Sequence, residues 1–100
     1  MPTSAVEFHE EAQAEYDAAF AWYLSRSIDA AIEFDAQVNR AIDLIRIAPE
    51  TWPVGSFSSR KFLIHKFPYL LIYRIKTPNR IEVIALAHTS RKPGYWRKRL

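Results

Sequence analysis

Apolar positions recur along this chain with two different periods, and the change falls near its middle. In the first half Ala12, Tyr16, Ala19/Phe20 and Tyr23 are spaced i, i+4, i+7/8 and i+11, which is one face of a helix with 3.6 residues per turn. The many alanines around them favour the helix intrinsically. Before it, Val6-Glu7-Phe8 alternates like a short strand, and Glu10 and Glu11 suit the electropositive first turn of a helix that starts near His9. Ser25-Arg26-Ser27 makes a tight break, and Ser27 is a good N-cap for a second helix. Its stripe is Ala31, Phe34, Val38, Ala41/Ile42 and Ile45, ending before Pro49. The two helices read as an antiparallel hairpin over about residues 9–47.

The segment from Pro49 to Ser59 holds two prolines, Gly55 and three serines, so it reads as a loop. Beyond it the period shortens to that of β-structure. Phe62-Leu63-Ile64, Tyr69 to Ile75 and Ile81 to Ala87 are β-branched or aromatic runs of strand length. They are divided by Pro68 and by Thr77-Pro78-Asn79-Arg80, which suits a type I turn. The last run is almost continuously apolar, as expected of a central strand covered on both faces, and its end delivers His88. The expected fold is α+β: an N-terminal strand, a helical hairpin, then a three-stranded antiparallel meander over about 59–88 with a tail at 89–100. A chain of 100 residues is one domain's worth, long enough to bury about 60% of its unfolded surface or slightly more.

Charge divides where the period does. Residues 1–50 carry three basic side chains against ten acidic ones, a net −7, and residues 51–100 carry eleven against Glu82 alone, a net +10; together they make the chain's +3. A half so basic sets up a field that attracts polyanions or an acidic partner. Cys is absent, which excludes disulfides and thiolate metal sites and fits a reducing compartment. No apolar run approaches the ~20 residues of a membrane span and no signal peptide is read at the N-terminus, so the cytoplasm is the expected location. No pairing of His with carboxylates has metal-ligand spacing; no metal or other cofactor is expected.

The densest chemistry lies in the tail. Five cations and two aromatic rings fall among the twelve residues from His88 to Arg99. Arg and Lys neutralise phosphates while a ring stacks on bases, so the tail has the ingredients for single-stranded RNA. The competing reading is that Tyr95 and Trp96 pack the tail onto the sheet and the cations keep the surface soluble. His65 falls in the alternation Lys61, Leu63, His65, Phe67 and should share a face with Leu63 and Phe67. His88 stands where a central strand leaves the sheet, a place that often carries functional groups. His9 reads as structural.

With these residues in place, the order of elements resembles the RelE/ParE superfamily of bacterial toxins. The resemblance rests on Trp22-Tyr23, Pro49, Trp52-Pro53, Phe67-Pro68-Tyr69, Tyr73, His88 and Arg91-Lys92-Pro93-Gly94-Tyr95-Trp96, and it spans essentially the whole chain. It implies the toxin of a type II toxin–antitoxin pair, neutralised by an antitoxin with an acidic, amphipathic segment laid over the sheet and tail or on the hairpin. It also implies one of two targets. RelE-like members cut mRNA on the ribosome, and ParE-like members inhibit DNA gyrase. Cleavage through the neighbouring 2′-OH needs a base, cations for the phosphorane charge and an acid for the leaving oxygen. His88 or His65 would serve as base or acid, Arg60, Lys61 and Arg91 would stabilise charge, and Tyr95 would stack or donate. Lys92, Trp96 and Arg97 would extend the nucleic-acid contact. On this set the sequence leans to mRNA cleavage, with gyrase inhibition as the alternative and a non-toxic basic binding module as the third.

Overall fold

The computed structural model describes residues 4–100. Strand β1 (Ala5–Phe8) leads into helix α1 (Glu10–Leu24), helix α2 (Ile28–Ile47) and strands β2 (Arg60–Leu63), β3 (Tyr69–Thr77) and β4 (Arg80–His88). His9 caps α1 by accepting the Glu11 N–H on Nδ1, with Glu10 and Glu11 in the first turn. Ser27 caps α2 through its hydroxyl, which accepts from the Ala30 N–H at 3.2 Å. The loop between α2 and β2 is tightened by two short 3₁₀ turns, Pro49–Thr51 and Ser56–Ser58.

The strands lie in the order β1-β4-β3-β2. β2, β3 and β4 form the antiparallel meander expected from the sequence, while β1 joins the outer side of β4 in parallel, which makes the sheet mixed. The hairpin brings the chain back so that β2 runs in the direction of β1, and the two reversals into β3 and β4 leave β4 parallel to β1 as well. The hairpin packs Phe34, Val38, Ala41 and Ile45 of α2 onto Leu71, Tyr73, Ile81, Val83 and Leu86 of the sheet. Tyr16, Tyr23, Phe34, Phe67 and Tyr69 form a run of ring contacts with centroids 5.0–5.8 Å apart, a spacing typical of favourable aromatic pairs. The other face of the sheet has its own smaller core, where Ile72, Ile84, Ala85 and Ala87 are covered by Trp96 of the tail.

One irregularity decides which side chains reach which face. Opposite β3, Tyr73 pairs with Val83 and Ile72 with Ala85, so Ile84 is an extra residue and the strand is bulged there. Ile81 and Val83 face the hairpin before the bulge. After it the alternation restarts out of phase: Ala85 and Ala87 face the tail, and Leu86 faces the hairpin. His88, two residues on, takes the side of Leu86. The apolar continuity of 81–87 therefore reflects two faces served in turn with one added residue.

The first strand of the meander differs from its expected course. β2 ends at Leu63, and residues 65–68 form a turn in which Lys66 has φ +70°. His65 is consequently outside the strand. Leu63 is 63% exposed whereas Phe67 packs on the main core, so the shared face expected for Leu63, His65 and Phe67 does not form.

Candidate functional site: a cleft at the outer edge of β4

β1 runs out at Phe8, opposite Val83, and leaves the last five residues of β4 without a strand neighbour on that side. A row of unpaired backbone groups there would be costly if buried. Glu15 of α1 and Arg99 of the tail take the neighbour's place. The Leu86 N–H donates to Glu15 Oε1 at 3.1 Å, and Arg99 Nη1 donates to the Ile84 carbonyl at 3.1 Å. Arg99 also meets Glu15 with both ends of its guanidinium, Nη1 to Oε1 at 2.8 Å and Nη2 to Oε2 at 3.1 Å. Its Nε reaches Glu11 at 3.1 Å. Finally the Tyr95 hydroxyl donates to Glu15 Oε2 at 2.5 Å. Burial, reinforced by this carboxylate, pushes the tyrosine's pKa well above its ordinary value.

Tyr95 in turn carries Arg91, whose guanidinium carbon lies 3.8 Å from the ring centroid. Arg91 and His88 border a cleft of about 540 Å³ between α1 and the ends of β3 and β4, with Ala18, Ala19, Trp22, Tyr69 and Leu86 among its walls. His88 meets Tyr69 edge-on, ring centroids 5.2 Å apart. Its Nδ1 accepts the Ser90 N–H at 3.1 Å and lies 2.8 Å from the Ser90 hydroxyl. Accepting the amide requires a lone pair on Nδ1, so the neutral ring carries its proton on Nε2 and presents a donor.

The other expected site residues are scattered. Arg60 turns back to the loop, Nη1 donating to the carbonyls of Trp52 at 2.6 Å and Glu50 at 3.2 Å. Lys61, adjacent in sequence, is exposed and by strand alternation leaves the opposite face of β2. His65 sits in the exposed turn beside Lys66, whose Nζ lies 3.5 Å from Glu33. Lys92 is exposed, and Arg97 lies over Phe57 with its guanidinium carbon 5.6 Å from the ring centroid. Trp96 is 2% exposed, its ring centroid 6.0 Å from that of Phe57, and offers no face to a base. Of the expected set, only His88, Arg91 and Tyr95 come together. Glu15 was not singled out from the sequence, and Trp22 and Tyr69 were noted there as carriers of the family resemblance rather than as walls of a site. A carboxylate flanking the apolar stripe of α1, opposite a tail of cations, was the one signal for Glu15.

The strand, the helical hairpin on one face of the sheet and the three-stranded meander are the fold that the resemblance to the RelE/ParE superfamily of toxins led one to expect. The family model described as the ParE toxin of type II toxin–antitoxin systems, parDE, matches residues 6–93, and the chain belongs to that family. A chain in the structure titled "Chromosomal ParDE TA system from P. aeruginosa" shares the fold with a TM-score of 0.73 at 13% sequence identity, covering 85% of this chain and 95% of that one. No curated protein matches the chain.

Proposed function

We propose that this chain is the toxin of a type II pair, kept idle by an antitoxin with an acidic amphipathic segment, and that it arrests growth by inhibiting DNA gyrase. The observation that carries the choice of target is the dispersal of the residues RNA cleavage would need. Lys61 and Arg60 leave opposite faces of β2, His65 is exposed in the turn after β2 and does not line the cleft, Trp96 is buried and the Tyr95 hydroxyl is committed to Glu15. A cleaving site needs base, acid and charge-stabilising groups around one phosphate. His88 with Arg91 supplies at most two of these. This dispersal supports a toxin that acts by binding over the mRNA cleavage to which the residue types leaned, and the ParE family membership supports the same reading. No helix among the described residues is long and apolar enough to cross a membrane.

The test is inducible expression followed by two assays with purified protein. Growth should stop on induction, DNA supercoiling by gyrase should fall when toxin is added at stoichiometric amounts, and ribosome-bound mRNA should stay intact. Cut mRNA with unaffected supercoiling would restore the ribonuclease reading. Normal growth on induction of the folded protein would favour the non-toxic binding module.

A further inference from the structure

We propose that the tail side of the sheet binds duplex DNA through its phosphates, without reading sequence, at a surface separate from the cleft. The binding itself is independent of the function proposed above; its use, to hold the toxin on the DNA that gyrase works on, rests on that reading. Lys61 leaves β2 on this side, in register with Ile72, which shares a core cluster with Trp96. The loop before β2 closes in on the same tryptophan. Phe57 meets Trp96 with ring centroids 6.0 Å apart, and Arg97 lies over Phe57. Phe57 and Ser58 both hold φ +58°, a left-handed backbone that a bulky residue rarely adopts. It keeps the Phe57 ring at the surface with the guanidinium upon it. Lys92 and Lys98 are exposed on the tail, one before Trp96 and one after it.

The ion pairs decide the sign of the field on this side. Its carboxylates, Glu7 and Glu82, are each matched, Glu7 by Arg80 and Glu82 by Arg74 at 2.9 Å. Lys61, Lys92, Arg97 and Lys98 have no carboxylate within ion-pair distance among the described residues, and none of them lines the cleft. The surplus is therefore all positive. The chain's first half, with the hairpin, carries the net −7, so the molecule is a dipole that turns this side towards a polyanion.

The rings favour a duplex over a single strand. Single strands are held by stacking bases on open aromatic faces, but Trp96 is 2% exposed and Phe57 already carries Arg97. What remains is a set of cations for phosphates, the part of a nucleic-acid interface that gives affinity without sequence.

The experiment follows the fluorescence anisotropy of short labelled DNA duplexes of unrelated sequence as purified toxin is added, with no gyrase present. Duplexes of different sequence should bind alike. Lys61→Gln and Arg97→Gln should each weaken binding about 10-fold at about 50 mM salt and lower the slope of log K against log salt by about 1. Arg40→Gln removes the same charge from an exposed position of α2 and should change little. Circular dichroism and thermal melting verify the fold of each variant. Absence of binding at about 50 mM salt, or an equal loss in all three variants, would overturn the site. Tighter binding of single-stranded or duplex RNA of the same length would overturn DNA as its ligand. A supercoiling assay then separates the two readings. The Lys61→Gln/Arg97→Gln double variant should need about 10-fold more protein to inhibit gyrase. Inhibition undiminished in that variant would remove the tether and leave gyrase as the target, whereas DNA binding by a toxin that leaves supercoiling untouched would remove gyrase and leave the site.

Discussion

The two sides of the sheet use the same kinds of residue to opposite ends. At the outer edge of β4, a cation, a ring and a carboxylate that are distant in sequence converge: Arg99, Tyr95 and Glu15 satisfy each other and the backbone of the strand. At β2, neighbouring cations diverge, Arg60 tying the preceding loop by its carbonyls and Lys61 leaving into solvent. The difference teaches that the +10 of the second half is not one working surface. Part of it is structural glue, and the free part is divided between the cleft rim and the open face.

The largest effect should come from Trp96→Ala. If the tail is a true second core, removing a side chain 2% exposed should cost about 4 kcal/mol, read as a large fall in melting temperature. A loss below about 1 kcal/mol, the scale of surface changes, would reduce the tail to a loosely held appendage and erase the contrast with β2.

Glu15→Ala should come next. It leaves Arg99, whose side chain is 11% exposed, with the exposed Glu11 as its one remaining carboxylate beside the Ile84 carbonyl, at a cost of about 3 kcal/mol for a largely buried charge pair broken on one side. Amide exchange at Leu86 should quicken in the same variant, since its acceptor is gone. Retained stability with slow exchange at Leu86 would show that the edge of β4 is protected by something other than this carboxylate.

The pair Arg60→Ala and Lys61→Ala sharpens the comparison within two residues. Arg60 makes two hydrogen bonds to loop carbonyls, so its loss should cost about 1.5 kcal/mol, whereas Lys61→Ala should stay within about 0.5 kcal/mol. Equal effects in urea unfolding would mean that the two cations are equivalent after all.

The smallest effect is at alkaline pH. Burial first, and then the neighbouring carboxylates Asp35 and Glu15, raise the pKa values of Tyr16 and Tyr95, and burial pushes Tyr73 up to about 12. Folding therefore favours their protonated forms. The stability this gives is complete below the unfolded tyrosine value of 10.0 and is lost as pH rises past it towards the folded values. Melting temperature should decline above about pH 10 and phenolate absorbance should lag behind that of a denatured control. Tyr95→Phe should remove part of the lag. Coincident titration of native and denatured protein would break this prediction.

Much of the fold was legible because it is written in local terms. Ser27 caps α2 by its own hydroxyl, the stripes of both helices follow from spacing, and Thr77 to Arg80 turns the chain where Pro and Asn stand. The parallel placement of β1 was not legible, since four residues of strand do not name their partner. The candidate site was read in part. His88, Arg91 and Tyr95 are close in sequence and stay close in space, while Arg60, Lys61 and His65 were assigned to the same chemistry by residue type alone. His65 lies outside its expected alternation because Lys66 ends the strand with a left-handed turn.

Local periodicity, capping and the division of charge thus determined, from sequence alone, that a hairpin of acidic helices is followed by a basic meander. The tertiary structure decided the rest. The extra residue at Ile84 sets which face His88 joins, the short reach of β1 opens the edge that Glu15 and Arg99 close, and Trp96 proves to be core rather than contact surface. The reason is physical: a side chain's direction depends on every residue counted along its strand, and its freedom depends on partners up to 84 residues away, which neither composition nor spacing records.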